Sequence, residues 1–170
     1  MRHQPGTRYL PTMPDAPDPR EPRWLTEEQQ RQWRSYLMGS ARLTNVLAEQ
    51  LWNDSELSFN EYEVLVRLSE TPGRRLRMSQ LADELVHSRS RLTHTVTRME
   101  KRGLVARVPS CDDRRGIDCT LTDRGFDTLV AAAPGHVTAV RENLVDLLDE
   151  ETFAALGNAM RIVMEALEKR

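Results

Sequence analysis

Cysteine is scarce in this chain, with two residues among 170, Cys111 and Cys119. Two thiols cannot build a disulfide scaffold, and no Cys/His grouping has zinc-finger spacing. Aromatic residues are also few, at 5%. No apolar run approaches the roughly 18 residues of a membrane helix. Proline stands where a signal peptide would carry its apolar stretch, so neither export nor membrane insertion is expected. Enzyme signatures are missing too. His3, His87, His94 and His136 show no H-E-x-x-H pairing, and there is no phosphate loop, no Gly-x-Ser-x-Gly and no recognisable catalytic setting for either cysteine. The expectation is a cytoplasmic protein without catalytic residues, metal or cofactor. Its 39% apolar and 29% charged residues suffice for one domain with an appended helical extension.

Charge is balanced overall, at a formal net of -2, but unevenly spread. From Arg74 to Arg115 eleven Lys and Arg face five Asp and Glu, a balance of +6, while the remainder stands at -8. A basic middle third in an acidic chain suggests one surface that meets a polyanion. A solvated charged face is the plainer alternative, and the placement of the charges on secondary structure decides between them.

Six of the nine prolines lie in residues 1–22, with few apolar residues among them. Such a stretch buries too little surface to offset its ordering entropy and reads as a disordered arm. Residues 23–56 form a long helix opened by the capping box Thr26-Glu27-Glu28-Gln29, with Trp33, Leu37, Leu47 and Leu51 near helical spacing. Ser58-Phe59-Asn60-Glu61 is a second capping box, and Thr71-Pro72-Gly73 stops the helix it opens. A short helix from Ser79 carries Leu81, Ala82, Leu85 and Val86. Another spans about Ser88 to Lys101, with Gly103 at its C-terminal cap. Leu104 to Val108 and Ile117 to Thr122 read as a β-hairpin around a polar tip. A helix capped by Thr122 follows, which Pro134-Gly135 is expected to kink or interrupt before it resumes through Leu148. Asp149 opens the last helix, whose stripe Phe153, Leu156, Met160, Val163 and Leu167 steps by 3, 4, 3 and 4. The expected fold is mainly α with a small β-hairpin wing: a winged helix-turn-helix over residues 57–122, followed by C-terminal helices over residues 123–170.

At about 100° per residue, Leu92, Val96 and Met99 share one side of the helix from Ser88 to Lys101. The other side presents Ser90, Arg91, His94, Thr97, Arg98 and Lys101, with Arg89 and Thr95 flanking and Ser88 at the start. Arg pairs bidentately with guanine, and Ser, Thr and His offer further hydrogen bonds to bases or phosphates. Glu100 is the only carboxylate in this stretch, so an ordinary salt-linked surface helix is the weaker reading. At the hairpin tip, Arg114 and Arg115 are candidates for an adjacent minor groove, with Asp113 placed to orient Arg115. Double-stranded DNA is the expected partner.

The run Asp113-Arg114-Arg115, then Leu121-Thr122 and Gly125, resembles the Asp-x-Arg…Leu-Thr…Gly wing signature of the MarR family of multiple-antibiotic-resistance regulators. Ser79-Gln80-Leu81-Ala82 and Arg98-Met99-Glu100-Lys101-Arg102-Gly103-Leu104-Val105 resemble its helix-turn-helix. In order of elements the resemblance covers residues 26–168. It implies a homodimeric regulator, usually a repressor, that binds a pseudo-palindromic operator and is often released by a small ligand. By resemblance the wing arginine is Arg115, its acidic partner Asp113, and the reading half of the recognition helix Ser88 through His94, with Arg98 beyond. Some relatives sense oxidants through a cysteine in the first helix, which this chain lacks. Cys119 reads as a small apolar filler, and redox control through Cys111 is not expected.

The terminal helices carry more apolar positions than one winged-helix module can cover, so dimerisation through residues 23–56 and 123–170 is expected; packing within one chain is the alternative. The ligand is unknown. The resemblance implies a small aromatic compound between dimerisation helices and DNA-binding module, where Trp33 and Tyr36 are candidate lining residues, although aromatics at helical spacing also serve as core. A second functional reading is a winged-helix protein-interaction module that binds no DNA, which would show no counterion-release slope with salt.

Overall fold

Side-chain caps open every α-helix of the described residues except the short one over Met78–Glu84. The computed structural model describes residues 22–110 and 116–169. Its backbone groups into two units, one ending at Leu37 and one starting at Met38. Helix α1 (Glu27–Ser55) opens on the Thr26 box: Gln29 N–H donates to Thr26 Oγ1 at 3.2 Å, and Thr26 N–H to Gln29 Oε1 at 3.0 Å. Helix α2 (Phe59–Glu70) opens on the Ser58 box, with Ser58 N–H donating to Glu61 Oε2 at 2.9 Å. Two orphan donors are satisfied at each end, as the sequence pattern requires.

A short strand, β1 (Arg75–Arg77), leads directly into α3 (Met78–Glu84), and a tight turn leads to α4 (Arg89–Lys101). The turn closes when His87 N–H donates to Ala82 O at 2.9 Å and places Val86 at φ 53°. A β-branched residue in the left-handed region is strained, so the close approach of α3 and α4 is held at some cost. Strands β2 (Val105–Pro109) and β3 (Ile117–Leu121) form the hairpin, each one residue off the expected bounds, and Ser110 N–H closes its root on Gly116 O at 2.9 Å. The sheet has three antiparallel strands in the order β1-β3-β2, with Leu76 opposite Cys119 and Arg107 opposite Cys119 on the other side. The third strand is an addition to the expected hairpin.

Helix α5 (Asp123–Asn143) is not interrupted at Pro134-Gly135: it runs as one helix with Pro134 inside it. Proline at that point removes one backbone hydrogen bond and costs about 3 kcal/mol in an isolated helix. Packing offsets this. Leu129, Ala132 and Ala139 are buried, and Gly135 lets α5 approach α1, where a Cβ would come within 3.2 Å of both Gln50 Nε2 and Asp54 Oδ2. The helix also ends earlier than expected, with Leu144 leaving helical geometry before a 3-10 turn over Val145–Leu147. Asp149 caps α6 (Glu150–Glu168) by accepting the Thr152 N–H at 2.7 Å, which holds its carboxyl below the ordinary value.

The core sits around α2. Val64, Leu65 and Leu68 are fully buried there, packed with Leu51, Leu57, Leu81, Leu92, Val96, Met99, Leu104, Val105 and Cys119. Each buried leucine contributes about 1.5–3 kcal/mol. Burial pushes the Cys119 thiol up to about 12, so it acts as an apolar filler. By contrast, α6 has no buried residue, and Phe153, Ile162, Val163, Met164 and Leu167 are exposed.

Candidate nucleic-acid interface

The outward face of α4 begins with its cap. Ser88 Oγ accepts the Arg91 N–H at 3.2 Å, which starts the helix with Arg89 and Ser90 exposed in the first turn. Leu92, Val96 and Met99 are buried on the inner side. Thr95 is also only 3% exposed, although it still contributes to the floor of the cleft beside Arg91 and His94. The reason is geometric: Leu92, Thr95, Val96 and Met99 stand at i, i+3, i+4 and i+7, one face of a helix.

Arg91, His94, Arg98 and Lys101 stay exposed and, with Asn60 and Thr97, line a cleft of about 560 Å³ along α4. Arg91 Nη2 donates to Asn60 Oδ1 at 3.1 Å. Arg98 Nε lies 3.8 Å from Glu61 Oε1. Glu100 does not oppose this basic face, because Arg107 of β2 engages it from backbone and side chain, with Nη2 at 2.6 Å from Oε2. That guanidinium holds the Glu100 carboxyl below the ordinary range. Arg107 Nη2 also donates to Thr97 Oγ1 at 3.2 Å, so one arginine ties the hairpin to α4. Asp113, Arg114, Arg115 and Cys111 of the hairpin tip lie outside the described residues.

The wing signature has a second half that the structure explains. Thr122 Oγ1 donates to Gly103 O at 2.7 Å and accepts the Gly125 N–H at 3.0 Å. One hydroxyl therefore caps α5 and ties it to the chain entering β2. Sequence reasoning missed Asn60, Glu61 and Arg107 as neighbours of the α4 face. Their partners lie far along the chain, or on another element, and leave no periodic signal.

His87, in the turn between α3 and α4, is a buried weak point. Its side chain is 6% exposed, with Nε2 at 3.6 Å from Glu63 Oε2, and its Nδ1 has no hydrogen-bond partner among the described residues. Burial, then the charge of Arg91, lowers its pKa from the ordinary 6.5. The unfolded chain protonates this histidine near 6.5 while the folded chain resists, so stability is full above that value and falls as pH drops toward the lowered one. His136, lowered by burial, acts in the same sense. Glu63 is raised by burial and partly restores stability at more acid pH. Melting temperature should therefore decline from about pH 7 to about pH 5, and His87→Leu should flatten that decline. An unchanged pH profile in the variant would contradict the assignment.

Among the described residues there is no His/Cys/Asp/Glu group able to hold a metal and no helix long and apolar enough to cross a membrane. Three short strands, a tight helix-turn-helix and an exposed basic second helix define a winged helix-turn-helix protein. A family model described as MarR family matches residues 55–116. The chain is 47% identical to Sco3205, a MarR family transcriptional regulator from Streptomyces coelicolor solved in complex with DNA; the match covers 87% of this chain and 92% of that one, with a TM-score of 0.84. It is 42% identical to AbsC, a MarR family regulator from the same organism, over 88% of this chain and all of that one, with a TM-score of 0.83. The chain is 29% identical to the regulator PecS of Dickeya dadantii over 104 residues, 61% of this chain and 63% of that protein. The chain belongs to the MarR family of transcriptional regulators.

Proposed function

We propose that this regulator binds a pseudo-palindromic operator in double-stranded DNA as a homodimer, and acts as a repressor by occupying that site. It acts by binding rather than catalysis, in the cytoplasm at the nucleoid. The α4 surface carries the reading: Ser88, Arg89, Ser90, Arg91, His94 and Arg98 share an exposed face, and the one carboxylate of α4 itself, Glu100, is paired with Arg107. The DNA complex of Sco3205 supports it. Arg114 and Arg115 would enter the adjacent minor groove, oriented by Asp113. Residues 57–122 form the DNA-binding module and residues 23–56 and 123–170 the dimerisation elements; the arm expected over residues 1–22 lies almost wholly outside the described residues. Selection from randomised duplexes should enrich an inverted repeat with half-site centres about 10–10.5 bp apart. Enrichment of single half-sites alone would contradict the dimeric mode.

Exposed apolar side chains support the dimer. Phe153, Ile162, Val163, Met164 and Leu167 of α6 are 39–61% exposed, and Trp33 and Tyr36 of α1, ring centroids 5.8 Å apart, are 51% and 44% exposed. Such stripes are costly in water unless a second copy covers them. Truncation after Leu148 should abolish dimerisation or folding, since Phe153, Leu156, Met160 and Val163 leave together. A truncated chain that sediments as a dimer would contradict this.

A small aromatic ligand is part of the proposal. Phe59, Tyr62, Val66, Leu85 and His136 line an apolar cavity of about 210 Å³, enough for one ring. The rings of Tyr62 and His136 lie 4.4 Å apart in its wall.

A further inference from the structure

An arginine that reads bases must hold its guanidinium in one direction, and a long exposed side chain does not do so unaided. The first turn of α2 supplies two neighbouring holders. Asn60 Oδ1 accepts from Arg91 Nη2 at 3.1 Å. Glu61, 3% exposed, uses Oε2 to accept from Ser58 N–H at 2.9 Å and Ser58 Oγ at 3.0 Å, with Arg102 Nη1 at 3.4 Å. Its Oε1 faces Arg98 Nε at 3.8 Å. Arg91 and Arg98 are seven residues apart, two turns of α4 on one face. Consecutive residues of α2 thus touch both arginines assigned to the major groove.

We propose that Asn60 and Glu61 are positioning residues that aim the Arg91 and Arg98 guanidinium groups and so set the base preference of the α4 surface. This rests on the reading that α4 enters the major groove. Stereochemistry favours it. Glu61 Oε1 lies beside Nε of Arg98, so the pairing leaves Nη1 and Nη2, the two donors that pair bidentately with guanine O6 and N7, for DNA. Arg91 engages Asn60 through Nη2 and keeps four of its five N–H donors, a count set by guanidinium chemistry. Capping α2 requires only Oε2 of Glu61, so the contact of Oε1 with Arg98 exceeds what the helix start needs. A carboxylate close to DNA also opposes phosphate, so on charge alone its removal should tighten binding to every sequence.

The test compares Glu61→Gln, Asn60→Ala, Asn60→Asp, Arg91→Ala and Arg98→Ala on randomised duplexes and on a non-specific duplex, together with melting temperature. Glutamine preserves the capping box, and Asn60→Ala is an independent second variant. Glu61→Gln should lower the operator-to-non-specific ratio about tenfold, at the base pairs that Arg98→Ala relaxes, while non-specific affinity holds or rises. Asn60→Ala should relax the positions governed by Arg91. Asn60→Asp, which keeps an acceptor for that guanidinium, should retain the preference. If Arg91→Ala and Arg98→Ala relax preference but Glu61→Gln and Asn60→Ala only shift melting temperature, the inference is overturned while the reading of α4 stands. If the two arginine variants leave preference intact, the reading of α4 fails and takes the inference with it.

Discussion

Gly125→Ala is expected to destabilise the chain by at least about 3 kcal/mol, or to prevent folding altogether. A Cβ at that position would lie 2.0 Å from the Leu104 carbonyl oxygen, 2.9 Å from its carbon and 2.7 Å from Leu121 Cδ1. The leucine methyl can rotate away, but the carbonyl cannot. It accepts the Thr122 N–H at 3.2 Å, and Leu104 leads directly into β2. Relief would require α5 to leave the sheet, with the Gly125 N–H and Thr122 Oγ1 losing their 3.0 Å bond. Chemical denaturation measures the loss, and a change within about 0.5 kcal/mol would show that this seam yields. The Leu121-Thr122…Gly125 half of the wing signature is therefore architectural.

Arg115→Ala is expected to weaken operator binding strongly with fold and dimer intact. A wing arginine beside the recognition helix reaches the adjacent minor groove, whose narrow A·T-rich stretches attract guanidinium. Asp113→Ala should weaken binding as well, although it removes a charge that opposes DNA. The proposed pairing of Asp113 with Arg115, if made at an exposed tip, would contribute at most about 1 kcal/mol of stability, so its proposed role is orientation. The sign is decisive in equilibrium titrations. Tighter binding by Asp113→Ala, with Arg114→Ala more harmful than Arg115→Ala, would contradict the assignment of the wing.

What could be read along the chain was local. The Thr26 and Ser58 boxes involve residues three apart, and both form as the spacing requires. The α4 stripe follows from period alone, although Thr95 shows its edge is wider than Leu92, Val96 and Met99 suggest. What escaped was settled by partners distant in sequence. Strand β1 is Arg-Leu-Arg, three residues, too few for its alternation to announce a strand, and it pairs Leu76 with Cys119 of β3. Pro134 reads as a breaker until α1 is packed against Gly135. Asn60 and Glu61 gain their relation to α4 from residues 31 and 37 positions away, which no pattern within one helix displays.

Salt dependence of DNA affinity tests the central claim most directly. The full chain would be titrated onto duplex DNA from upstream of its own coding region at several salt concentrations. If α4 and the wing of two protomers engage the phosphate backbone, log affinity should fall linearly with log salt, with a slope steeper than about -4. Binding that is absent at low salt, or whose affinity does not change with salt, would contradict the claim and favour a winged-helix protein-interaction module.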